Sequence, residues 1–168
     1  MSALSSAAAF LKPWKDAYSN STAISTTVVT IHIVSMLFAG GLAIAADRTT
    51  LRALRATADV QRAHLVELAA VHRPVLIAMA VLFASGVLLF TSDIETFATS
   101  PVFWGKMALI ALLLANGAVL QRAETRLRAG DGIADGAAIW RRLRTSTWAS
   151  LTLWTATAII GVVLANVS

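Results

Sequence analysis

Residues 68–90 read LAAVHRPVLIAMAVLFASGVLLF. Beyond His72 and Arg73 near its start, the run carries no charge and is rich in Ala, Leu and Val. About 20 such residues, rising 1.5 Å each, cross a hydrocarbon layer of roughly 30 Å. A buried strand would be far shorter and dominated by β-branched residues. The run therefore predicts a membrane-spanning helix. Working outward, residues 23–46, 102–120 and 146–167 have the same character. The expected fold is all-α, a four-helix bundle integral to a membrane, with residues 1–168 forming one membrane domain. The whole-chain numbers agree. Of 168 residues, 57% are hydrophobic and 14% charged, against about 25% charged in an ordinary soluble domain. A mean hydropathy of +0.71 excludes a disordered chain and argues against a soluble enzyme. The absence of cysteine excludes a disulfide framework, thiolate metal sites and a cysteine nucleophile.

Charge sets the expected direction. Arg48, Arg52, Arg55, Arg62 and Arg73 lie in or beside the first connection, residues 47–67. Arg122, Arg126, Arg128, Arg141, Arg142 and Arg144 lie in the third, residues 121–145. The opposite ends hold only Lys12, Lys15 and Lys106, beside Asp16, Asp93 and Glu95. The positive-inside bias predicts both arginine-rich connections in the cytoplasm and both termini outside. It also accounts for the pI near 10.8 without any nucleic-acid partner.

The N-terminal residues lack the basic start of a signal peptide, and Lys12, Pro13 and Trp14 interrupt their apolar run. A short helix on the outer interface is expected, anchored by Trp14 and Tyr18. Pro101 suits the first turn of the third span, with Ser100 as its N-cap. Residues 91–101 (TSDIETFATSP) and 129–136 (AGDGIADG) read as loops. In the fourth span Thr147, Ser150, Trp154, Thr157 and Gly161 share one narrow stripe, the pattern of a helix-packing seam. Gly40, Gly41, Ser85 and Gly86 are read as packing positions for the same reason.

Ionisable groups within spans are costly and so are the candidates for function. Lys106 and Arg73 sit near opposite span ends, where long side chains reach water. His32 lies roughly 13 Å below the outer end of its span and His72 roughly 27 Å below the outer end of the next. That offset disfavours a haem held between them. Met36 and Met79 fall at roughly 20 and 18 Å, with His32 one turn above Met36 on the same face. Imidazole with thioethers suits Cu(I), and the same atoms can supply a His/Met pair to haem. His32, Met36 and Met79 are thus the candidate metal ligands, and His32, Met79 and His72 the candidate cofactor contacts. The structural alternative for His32 is a hydrogen bond to a Ser or Thr on a neighbouring helix. For His72 it is a bond to Asn116, at a similar depth, and Pro74 is a place for the helix to start or kink. His64 is expected deeper still, in the cytoplasmic extension of that helix. No nucleophile elbow, P-loop, HExxH or dinucleotide fingerprint occurs, and the chain is read as non-enzymatic.

Two stretches carry a resemblance: residues 31–54, IHIVSMLFAGGLAIAADRTTLRAL, and residues 72–120, beginning HRPVLIAMAVLFASGVLLF and containing SPVFWGKMALI. They resemble a group of uncharacterised bacterial four-span inner-membrane proteins. The matching features are His32, the pair Asp47 and Arg48, Ser85, Gly86, Phe90, and the entry Phe103, Trp104, Lys106 and Met107. The group is distantly similar to the copper resistance D membrane domain and, more loosely, to four-helix b-type cytochromes. The four ligand histidines of those cytochromes at matched depths are missing here. The resemblance implies a bacterial inner-membrane protein with a pointer towards copper. The leading expectation is a small-ligand or copper-handling protein with its site between the first two spans. The alternatives are electron transfer by haem b, and an accessory subunit of a larger membrane complex. The expected surroundings are lipid, with a second copy or other membrane subunits as partners.

Overall fold

The computed structural model describes residues 3–129 and 136–167. Six helices follow one another: α1 (Ala3–Asn20), α2 (Thr22–Ala53), α3 (Ala58–Ser92), α4 (Ile94–Thr99), α5 (Pro101–Ala129) and α6 (Gly136–Val167). No strand occurs among the described residues. Four of the helices, α2, α3, α5 and α6, are long and apolar enough to cross a membrane. α2 and α3 form one hairpin, α5 and α6 a second. The hairpins join mainly through α2 against α6, while α3 and α5 touch only lightly. At mid-bundle Ala39, Leu113 and Trp154 form a buried apolar core, flanked by Ala43, Ile44, Ala78, Met79 and Leu153. Around it the surface is apolar: Leu37, Phe38, Leu76, Ile77, Phe83 and Val162 are all exposed. So wide an apolar exterior is a liability in water and the required surface in lipid.

The helices outrun the expected spans. Residues 47–53 and 58–67 continue α2 and α3, leaving a turn of only residues 54–57. Residues 121–129 and 136–145 likewise extend α5 and α6. The two expected cytoplasmic connections are thus largely helix, because good helix formers such as Ala, Leu and Arg fill them and inward faces there still find partners. Apart from its two ends, the glycine-rich stretch 129–136 lies outside the described residues. α3 passes through Pro74 without starting there, so no unpaired helix amides lie beside Arg73.

At the lysine-bearing end the details follow local chemistry. Ser21 caps α2, accepting from the Ile24 amide at 3.4 Å. Ser100 accepts from the Phe103 amide at 3.3 Å, and α5 opens on Pro101 as expected. The expected loop 91–101 instead contains α4. Phe97 on α4 packs against Phe90 and Phe103, and those two stack at 5.0 Å. α1 is tied down by Trp14, whose indole donates to the Leu88 carbonyl at 3.1 Å, and by a Lys15–Asp93 ion pair at 2.9 Å.

Candidate functional site

The stripe on α6 is a buried seam, with Thr147, Ser150, Trp154 and Thr157 all inside. Gly40 of α2 lies against the Trp154 ring, which a Cβ would meet at 3.2 Å. Gly41 faces open space, so only one of that pair serves packing. On α2, Ala39, Ala43, Asp47 and Thr50 follow at helical spacing and carry the inward face to the arginine-rich end. Leu113, Leu120 and Glu124 do the same on α5. Both stripes change from apolar to acidic as they leave the apolar core.

There the four long helices place polar side chains together. Asp47 is 4% exposed and Glu124 1%. Ser150 of α6 is near enough to act on the Asp47 carboxyl, and so is the charge of Glu124. His72 Nε2 donates to Glu124 Oε2 at 2.6 Å, and an Arg128 guanidinium nitrogen lies 3.7 Å from the same oxygen. Asp47 Oδ2 and Glu124 Oε1 are buried without a hydrogen-bond partner. A buried carboxylate oxygen with no donor is expensive, and these two are, with the Thr157 hydroxyl, the unpartnered buried side-chain atoms among the described residues. His72 does not bond Asn116, as expected from depth. Asn116 instead donates to the Ser146 carbonyl at 2.9 Å, and Glu124, about two turns further along α5, takes the imidazole.

The other histidines are also held by neighbouring helices. Ser85 spends its hydroxyl proton on its own helix, at 2.9 Å to Val81 O and 3.0 Å to Leu82 O. His32 Nδ1 lies 3.0 Å from Ser85 Oγ, a hydrogen bond across α2 and α3 in which the imidazole donates when the Ser85 proton is on its own helix. Thr50 similarly donates to Ala46 O, so His64 Nε2 donates to Thr50 Oγ1 at 2.9 Å. The structural expectation for His32 is what the bundle contains. Lys106, expected to reach along its helix to water, instead packs across to α6. Its ammonium folds over Gly161, 3.5 Å from where a Cβ would stand.

The expected cofactors can be tested against this placement. His32 packs at Gly86, and His72 lies 14 residues earlier on α3, roughly 21 Å along the axis. Two axial ligands of one haem iron cannot be so far apart, and the histidines do not fit a shared haem. Met79 packs against the apolar core, six residues or roughly 9 Å along α3 from the Ser85 that holds His32. Met36 is half-buried one turn beyond His32. His32 and Met36 are thus one turn apart on one face of α2, with His32 Nδ1 already bonded to Ser85. Among the described residues no three His, Asp or Glu side chains gather as a metal-holding group.

Sequence reasoning singled out His72 but not its acid, and it read Asp47 only as part of the pair with Arg48. The signal for both acids was the continuation of each inward stripe beyond the apolar run. At the opposite end, the Lys15 ammonium and the Thr96 hydroxyl hold the Asp93 carboxyl below the usual carboxylate range, and Asp93 in turn raises Lys15. Comparison of the chain with protein-family models, curated proteins and solved structures found no match.

Proposed function

We propose that this chain is a multi-pass protein of the bacterial inner membrane that takes up and releases protons at the Asp47–Glu124–His72 cluster. Both termini lie outside in this reading, α1 rests on the outer interface, and the arginine-rich end faces the cytoplasm. Eleven arginines against three lysines support that direction. The ligand of the bundle is then the smallest available, a proton, and no cofactor is needed to hold it.

One observation carries the proposal: two acids from different hairpins are almost wholly buried, and each keeps an oxygen without a donor. An added proton removes the buried charge that no donor stabilises. His72 gives it a route. Its side chain is 30% exposed while Glu124, bonded to it, is 1% exposed. Counting back from Ser92, His72 lies roughly 30 Å along α3, at the hydrocarbon edge. An imidazole there can take a proton from water on one nitrogen and pass one to Glu124 from the other. Ionisable groups at membrane depth commonly form such relays.

The test is infrared difference spectroscopy of the full chain in lipid nanodiscs, between mildly acidic and mildly alkaline pH. A protonated-carboxyl band should appear on acidification, and Glu124→Gln or Asp47→Asn should remove its share. His72→Gln should keep the band and slow its appearance after a pH jump. A wild-type spectrum with no such band would overturn the proposal.

A further inference from the structure

A second polar level lies in the opposite half of the bundle, separated from the acids by Ala39, Leu113 and Trp154. His32 stands against Gly86, 3.4 Å from where its Cβ would be, and the Lys106 ammonium stands over Gly161. The ammonium is near enough to act electrostatically on His32. Thr157 is one turn from Gly161 on the same face of α6. All four long helices therefore contribute to this level, where His32 and Lys106 pack over two glycines.

Its hydrogen bonding is unbalanced towards donors. Lys106 brings three N–H groups and makes no hydrogen bond or ion pair among the described residues. Thr157 is 8% exposed, and its hydroxyl has no partner. That is unusual within α6 itself, where Thr147, Thr152 and Thr155 all donate to the carbonyl four residues back, at 2.8, 3.0 and 2.9 Å. His32 is bonded to Ser85 through Nδ1 and takes neither the Lys106 ammonium nor the Thr157 hydroxyl as a hydrogen-bond partner. Lys106 is five residues into α5, roughly 8 Å from its start, so a solute reaches it from the lysine-bearing side.

We propose that Lys106 and Thr157 form a binding site for a small anion beside His32, entered from the lysine-bearing end. The ammonium supplies the charge and the Thr157 hydroxyl a directed hydrogen bond. The site is independent of proton exchange at the acids.

The test uses the purified full chain in maltoside detergent, exchanged into gluconate and titrated with chloride or, separately, formate while the melting temperature is read. A ligand that binds only the folded state raises it saturably, whereas screening of surface arginines by salt has no binding saturation and no dependence on Lys106. The wild type should show the saturable rise, Lys12→Met should keep it, Lys106→Met should abolish it, and Thr157→Val should weaken it several-fold. Thr157→Val alters no charge and little volume, so it reads the site even if Lys106→Met does not fold. Phospholipid added to the detergent separates two sources of the same chemistry. Loss of the chloride response assigns the site to a headgroup phosphate, and its persistence assigns it to a free anion. An unsaturable response, or a full response in Lys106→Met or Thr157→Val, overturns the proposal.

Discussion

Asp93 and Lys15 join α1 to the end of α3 through a half-exposed ion pair. Asp93 is held below its ordinary value by the Thr96 and Lys15 hydrogen bonds, so its contribution is complete above the unfolded carboxylate value of about 3.9 and fades as pH falls through the lower folded value. Lys15, raised by Asp93, contributes below its unfolded value of about 10.4 and loses that contribution as pH rises through the folded one. The melting-temperature difference between wild type and Asp93→Asn should therefore be flat across neutral pH and close at both extremes. A difference unchanged down to about pH 2, well below the unfolded value, would show that the pair is not what Asp93 supplies. At this scale the sequence was only half legible. That His32 needed a partner followed from the cost of an imidazole in lipid, and a hydroxyl on the next helix is what meets it. That His72 would find Glu124 rather than Asn116 did not follow, because depth along an axis says nothing of rotation between helices. Asp47 and Glu124 escaped notice because acids beyond an apolar run look like surface residues until the neighbouring helices are seen to cover them.

The elements were more legible than their ends. Long apolar runs fix where helices must exist, but hydropathy falls before a helix stops, so α2, α3, α5 and α6 each run past their apolar stretch. The packing of α2 on α6 was visible in part, since small residues at helical spacing mark close approach, yet Gly40 and Gly41 could not be ranked without the Trp154 ring. Gly40→Leu should destabilise the bundle by about 1–3 kcal/mol, as overpacking a filled seam does, read as a fall in the detergent melting temperature. Gly161→Ala should be tolerated far better, because the neighbouring atoms are the flexible end of Lys106. Equal effects at the two positions would mean that Trp154 yields as readily as a lysine tip. α4 was missed because a six-residue helix has no period to read; Phe97 holds it through contacts with Phe90 and Phe103.

For the whole molecule, the arginine asymmetry gives a direct check on direction. A reporter fused within residues 130–135 should behave as cytoplasmic, and one after residue 168 as periplasmic. The reverse pattern would place the acid cluster on the outer side and the lysine level on the inner. The bundle is also taller than the layer it crosses. α2 has 32 residues, roughly 48 Å at 1.5 Å each, against about 30 Å of hydrocarbon. With the layer laid on the apolar run of α2, the excess of roughly 18 Å falls mostly at the arginine-rich end, as a sleeve of protein around Asp47 and Glu124. The walls that keep water from these acids are therefore helices, not lipid tails. Thinner or thicker membranes can slide along the outer surface of the bundle without stripping that insulation, so the acid cluster carries its own dielectric environment wherever the protein is inserted.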